Sequence, residues 1–222
     1  MMLAGRVAVN GEQASVLGIT VDPDEDLVEV DGRPVSLAPP RWLAVHKPVG
    51  VITTADDPQG RETVFDLVGP RAKGLRYVGR LDLLTEGLIL LTNEGEALHR
   101  LTHPSGEVER EYLVVLDGSR PGTEVTPDIP RRLVEGVKLD DGPAAATRAA
   151  WASDRPPELR LVLTEGRNRE VRRMIAAVGF DVARLRRIRY GPIGLGELEP
   201  GAWRELGEDE VARIHEAVGL AG

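Results

Sequence analysis

The chain has 222 residues, 41% hydrophobic and 29% charged, with no cysteine and a net charge of −8, which describes an ordinary globular protein with room for one substantial domain beside a small one. Without cysteine, disulfides and thiolate metal sites are excluded. No apolar run is long enough to cross a bilayer, and the opening Met1-Met2-Leu3-Ala4-Gly5-Arg6 lacks a signal peptide's apolar stretch, so no membrane partner and a cytoplasmic location are expected.

In chain order, the first segment to about Leu37 is short, polar and acidic. Val7 to Val9 reads as a strand entering the Asn10-Gly11 turn, and Leu27 to Val30 as a second strand ending at Asp31-Gly32. Ala38-Pro39-Pro40 reads as a linker, which divides the chain into residues 1–38 and 39–222. Trp42 to Val45 is an expected strand, Glu62 to Val68 a short helix closed by Gly69-Pro70, and the residues up to Val78-Gly79 another strand. After the loop Arg80-Leu81-Asp82, the run Leu88-Ile89-Leu90-Leu91 reads as a buried strand. Thr92-Asn93 is expected to cap a helix from Glu94 to Leu101, ahead of His103-Pro104. Tyr112 to Leu116 and the alternating Leu159 to Leu163 are strands. Asn168 is expected to cap a helix through Val178, stopped by Gly179. Val182 to Tyr190 is an arginine-studded strand, and Asp209 to Val218 an amphipathic helix. Strands with a few helices and no regular alternation of the two imply an α+β fold around an antiparallel or mixed sheet.

Charge is uneven along the chain. Between Arg160 and Tyr190 stand nine arginines against three acids, a net +6 that leaves −14 elsewhere. A solvated face explains such a cluster as readily as a polyanion partner does; with a polyanion, the stretch is the expected contact face. His99 and His103 have a possible metal spacing but no third ligand, so no metal is expected. The glycines at 191, 194 and 196 miss the dinucleotide spacing, and no serine sits in a nucleophile elbow. One carboxylate stands out: Asp82, in a polar loop between two apolar runs. Alone, an aspartate there is usually a turn residue.

The surrounding words weigh against that reading. Gly79-Arg80-Leu81-Asp82, Thr85-Glu86-Gly87-Leu88 and Leu91-Thr92-Asn93-Glu94-Gly95 together resemble the signature of the pseudouridine synthases that modify ribosomal RNA. His46-Lys47-Pro48-Val49-Gly50 is similar to that family's first motif, and Glu111-Tyr112 to its tyrosine motif. The stretch from Thr164 to Met174 resembles its arginine motif, and Leu185 to Ile188 with Gly191-Pro192 its closing motif. Five ordered motifs cover Arg41 to about Leu206. The resemblance implies a pseudouridine synthase fold, with a mixed, mainly antiparallel sheet and flanking helices. It implies isomerisation of a uridine in ribosomal RNA without cofactor or metal, and Asp57 to Val64 leans toward the large-subunit enzymes. By the same resemblance Asp82 is the catalytic aspartate, Tyr112 packs on the target base, Arg172 pairs with the aspartate, Leu185 lines the uracil pocket, and Arg80 fills the gap left by the extruded base. Lys47 would support the pocket. The first segment resembles the second half of an S4-type RNA-binding domain, begun where that domain's second helix would be ending, and is expected to be truncated or degenerate. A monomer is expected. The rival reading is a non-catalytic RNA-binding ribosome-assembly factor that keeps the fold.

The chemistry agrees with the implied roles. The base must leave its stack before the glycosidic bond can break. A carboxylate at the sugar serves as nucleophile or base, and a ring with an apolar neighbour holds the detached uracil without fixing it.

Overall fold

The computed structural model describes residues 1–22, 25–36, 38–117 and 124–220. It divides into two compact units, Met1–Pro40 and Arg41–Gly222. In the first, β1 (Val7–Val9), β2 (Glu12–Gln13), β3 (Val28–Val30) and β4 (Arg33–Pro34) form an antiparallel sheet in the order β2-β1-β3-β4. Both turns foreseen in the sequence are present. Asn10 and Gly11, and likewise Asp31 and Gly32, take positive φ at both central positions, the geometry that matches strand twist in a two-residue hairpin. Among the described residues of this unit only Ala14 is buried.

The second unit is built on a nine-stranded sheet. Its main path runs β11 (Arg148–Asp154), β12 (Pro157–Leu163), β8 (Arg110–Asp117), β13 (Asp181–Tyr190), β7 (Glu86–Thr92), β5 (Trp42–Lys47), β15 (Trp203–Glu205). Off that path, β6 (Arg76–Val78) pairs with β7 and β14 (Ile193–Gly194) with β13, while β9 (Val137–Leu139) and β10 (Gly142–Ala144) make a separate hairpin. The pairings in this sheet are antiparallel except one: β7 and β13 run parallel, with Glu86 opposite Arg186 and Gly87 opposite Arg187. The helices are α1 (Val64–Val68), α2 (Gly95–Thr102), α3 (Ile129–Glu135), α4 (Glu170–Ala177) and α5 (Glu208–Ala217). None is long and apolar enough to cross a membrane.

The parallel join divides the sheet into halves with different surroundings. Strands β5 and β7 are buried along their whole length. Their alternate residues enter two cores: Ala44, Leu88 and Leu90 face Leu101 of α2 and Ile214 of α5, while Leu43, Val45, Ile89 and Leu91 face Val64 and Val68 of α1. The uninterrupted apolar run at Leu88 to Leu91 follows from that double burial. In the other half, β8, β12 and β13 bury one face, where Val114, Leu161 and Leu185 pack with Leu133 of α3 and Met174 of α4.

Two local expectations differ from the structure. Helix α2 starts at Gly95 after Glu94, without a side-chain cap; Thr92 Oγ1 accepts from Glu94 N, and Asn93 Oδ1 from Arg41 N. Helix α4 is preceded by Arg169 in the left-handed region, not capped by Asn168. The stretch holding α3 and β9 to β11 carries no element expected from the sequence; within it β11 is Ala-rich and of low strand propensity. Helix α1 does carry a full capping box between Thr63 and Asp66.

Candidate active site

Residues 79–85 form the loop between β6 and β7, and several side chains fix its backbone. Thr53 Oγ1 donates to Leu81 O at 3.1 Å and accepts from Leu81 N at 3.3 Å. Thr85 N donates to Asp82 O at 3.0 Å and Gly50 N to Leu83 O at 2.9 Å. Arg172, reaching over from α4, donates from Nη2 to Leu84 O at 2.7 Å. Arg187 donates from Nε to Leu88 O at 2.8 Å and from Nη1 to Arg80 O at 3.5 Å. Within this frame the Asp82 side chain is half-buried, and among the described residues no hydrogen bond or ion pair holds its carboxylate. An aspartate that merely shapes a turn spends its carboxylate on nearby N–H groups; this one does not.

The loop borders a cleft of about 1090 Å³. Strand register explains what else lines it. On β8, Tyr112 stands opposite Leu161 of β12 and Arg187 of β13, so Leu185, two residues before Arg187, shares Tyr112's face. Asp82, Arg80, Tyr112 and Leu185 thus line one cleft, together with Thr85, Arg110, Arg187 and Tyr190 and the loop Thr164 to Arg169 ahead of α4. Arg80 is exposed, Tyr112 half-buried and Leu185 buried. Arg172 stands close enough for the Asp82 charge to act on it, although burial and Arg169 pull its pKa below the ordinary value. It bonds to the loop's carbonyl, and no ion pair joins the two side chains.

Beneath the loop lies a group of buried cations. Lys47 of β5 is fully buried, and its Nζ donates to Pro48 O at 2.8 Å and Val51 O at 2.6 Å. Burial pushes its pKa from 10.5 down to about 8, Arg187 adding to the shift while Asp82 and Glu86 oppose it. Arg110 donates to Thr164 O, Glu165 O, Leu101 O and Tyr190 Oη. The guanidinium carbons of Arg110 and Arg187 each lie 4.9 Å from the centre of the Tyr190 ring, within cation–π range. On α4 the buried Glu170 carboxyl is raised by its desolvation.

A measurable consequence attaches to Lys47. Its folded pKa of about 8 lies below the unfolded 10.5, so between those values the unfolded chain binds the extra proton. Its contribution to stability should therefore rise with pH across that window, by at most about 1.4 kcal/mol per pH unit. Denaturant titrations should show a shallower rise in Lys47→Met than in wild type; an equal slope in both would disconnect Lys47 from it.

A family model described as RNA pseudouridylate synthase matches residues 41–177. The chain belongs to this family. Over 226 residues this pseudouridylate synthase is 43% identical to an uncharacterized RNA pseudouridine synthase of Mycobacterium tuberculosis, an alignment covering 99% of this chain and 87% of that one. A ribosomal large subunit pseudouridine synthase B of Vibrio cholerae is 44% identical over 230 residues, covering 99% and 70%. A solved crystal structure of a pseudouridylate synthase superposes with a TM-score of 0.70 at 28% identity, covering 96% of this chain and 90% of that one.

The arginine-rich stretch of this synthase does not form one face. Arg160 lies opposite Leu113, on the side of the sheet away from Tyr112. There Arg148, Glu109, Arg189, Glu111 and Arg160 alternate as ion pairs of 2.7 to 3.0 Å. Arg184 pairs with Glu86, Arg173 with Asp141, and Arg167 with Glu165. Arg187 is buried, so the expectation that it contacts RNA from an exposed face is corrected. The cationic cleft rim consists of Arg80, Arg167 and Arg169. Arg110, Tyr190 and Thr85 were not singled out in the sequence, although Arg187's two-residue spacing from Leu185 places it on the pocket face of a strand.

Proposed function

We propose that this pseudouridylate synthase converts a uridine of ribosomal RNA, in the large subunit, to pseudouridine, with Asp82 as the catalytic carboxylate. The observation that carries the reading is the Asp82 side chain, free of structural bonds in a cleft lined by Tyr112, Leu185 and Arg80. The large-subunit assignment is supported by the name of the Vibrio cholerae relative. In this reading the uridine is turned out of its stack into the cleft. Tyr112 offers its ring to the base, Leu185 closes the pocket, and Arg80 enters the gap in the RNA. Asp82 attacks the sugar or removes a proton from it. Arg172 orients the loop through Leu84 O and keeps a positive charge near Asp82. Residues 1–38 act as a partial S4-like RNA contact, and the enzyme works as a cytoplasmic monomer without cofactor.

The test is a map of pseudouridines in ribosomal RNA from cells with and without the gene. One large-subunit uridine should lose its modification in the deletion and regain it with wild type. An unchanged map, with the protein bound to ribosomal particles, would support an assembly factor instead. A narrower expectation concerns Tyr112. A stacked base is worth about 1–3 kcal/mol, so Tyr112→Phe should keep RNA affinity while Tyr112→Leu loses most single-turnover rate. If Phe is as slow as Leu, the hydroxyl rather than the ring is the working group.

A further inference from the structure

The three buried cations near the Asp82 loop differ in one respect. Lys47 and Arg110 donate to carbonyl oxygens or to Tyr190. Arg187 is 2% exposed, has no carboxylate partner among the described residues, and leaves its buried Nη2 without a hydrogen bond. A buried donor without a partner is costly, and on a charged group more so. Arg187 lies in the cleft wall, opposite Tyr112 in the sheet and on the face of Leu185. Two further buried donors without a hydrogen bond belong to residues lining the same cleft: Thr85 Oγ1, in a residue 2% exposed, and Arg167 Nη1.

We propose that Arg187 is a catalytic residue whose unbonded Nη2 donates to a carbonyl oxygen of the target uracil and stabilises the negative charge on the ring once its bond to the sugar breaks. This rests on the Asp82 cleft being the reaction site. When the N1–C1′ bond breaks, its electron pair leaves with the uracil and spreads over N1, O2 and O4. The deficit at C1′ is met by Asp82, as a nucleophile bonding to C1′ or as a base taking the C2′ proton. The ring then turns about its N3–C6 axis, which exchanges N1 with C5 and O2 with O4. A fixed donor therefore meets one carbonyl before the turn and the other after it. The C5 electron pair next forms the C5–C1′ bond, Asp82 leaves C1′ or returns its proton, C5 gives up its proton and N1 takes one up. Composition is unchanged. A cation fixed by the protein stabilises such a charge without reorganising.

The experiment is a single-turnover comparison on two RNAs, one carrying uridine and one 5-fluorouridine at the target site, read on both as loss of the N1-linked nucleoside, because C5 of the fluorinated ring has no proton to give up. Fluorine withdraws electrons and makes the uracil a better leaving group, so less help is needed. Arg187→Gln should be slower than wild type by about 100-fold on uridine, and its deficit should be several-fold smaller on 5-fluorouridine. Arg187→Lys keeps the charge but not the planar fork, so its deficit should be smaller than that of Gln and should likewise shrink on 5-fluorouridine. A Gln variant that lost activity only because the Arg80 and Leu88 carbonyls lost their donor would be slowed equally on both RNAs, and that outcome overturns the proposal. So does a Gln variant within threefold of wild type on uridine. If Gln does not fold, a Lys deficit that shrinks on 5-fluorouridine supports the proposal, and a deficit equal on both with wild-type RNA affinity counts against it. An active Asp82→Asn enzyme would remove the underlying reading instead, a result separable from any seen at Arg187.

Discussion

Asp82→Asn is expected to lower the single-turnover rate by about four orders of magnitude or more while leaving stability and RNA affinity within a few fold. Asparagine is nearly isosteric but cannot attack C1′ or accept a proton. The structural side of the expectation comes from the loop. Its backbone is held by Thr53, Arg172 and Arg187, and no hydrogen bond or ion pair holds the Asp82 carboxylate among the described residues, so replacing one oxygen with an amide breaks no contact. A turn residue would give the opposite pattern, with lower stability and retained turnover. Denaturation midpoints and RNA binding beside the rate separate the two. Turnover near the wild-type rate would remove Asp82 from the chemistry.

The second large effect is expected at Gly87. Its φ is +114°, and a Cβ there would lie 2.2 Å from Arg187 O and 2.6 Å from Arg187 N. Both are backbone atoms of the parallel partner strand and cannot rotate aside. Gly87→Ala should cost about 3 kcal/mol or more and separate β7 from β13, or prevent folding. Gly74 provides the comparison: its φ is +81°, but a Cβ would meet nothing within 4 Å, so Gly74→Ala should cost only the left-handed conformation, about 1–2 kcal/mol. Similar losses in thermal melts of the two variants would show that close approach at Gly87 is not the controlling feature.

What was legible in the sequence was local. The Asn10-Gly11 and Asp31-Gly32 turns, the buried run at Leu88 to Leu91 and the strand alternation from Leu159 follow from conformational preference and period, and the structure has them. The Asp82 loop was legible through motif order, which conveys a shared fold that no single word does. The fate of the arginines was not legible. Glu86, Glu109, Glu111 and Asp141 neutralise them from positions 32 to 98 residues away along the chain, and a charge count over a window cannot see partners brought in by sheet register. The same applies to the Arg110–Tyr190–Arg187 stack, in which Arg110 of β8 reaches the two β13 residues only because the strands pair. Helix starts failed at α2, where Asn93 is taken up by Arg41 N, and at α4, where Arg169 in the left-handed region precedes the first turn.

The parallel join also bears on the order in which the molecule is built. Strands β11 and β12 pair across a short loop and need little chain closure. Glu86 and Arg186, 100 positions apart, meet only after the chain between them has been brought round, and loop-closure entropy sets contacts of that separation late. Asp82 lies just before one strand of this pair and Leu185 just before the contact point on the other. The pocket is therefore among the last features to form, and a chain with most of its hairpins in place still has no place to put a base.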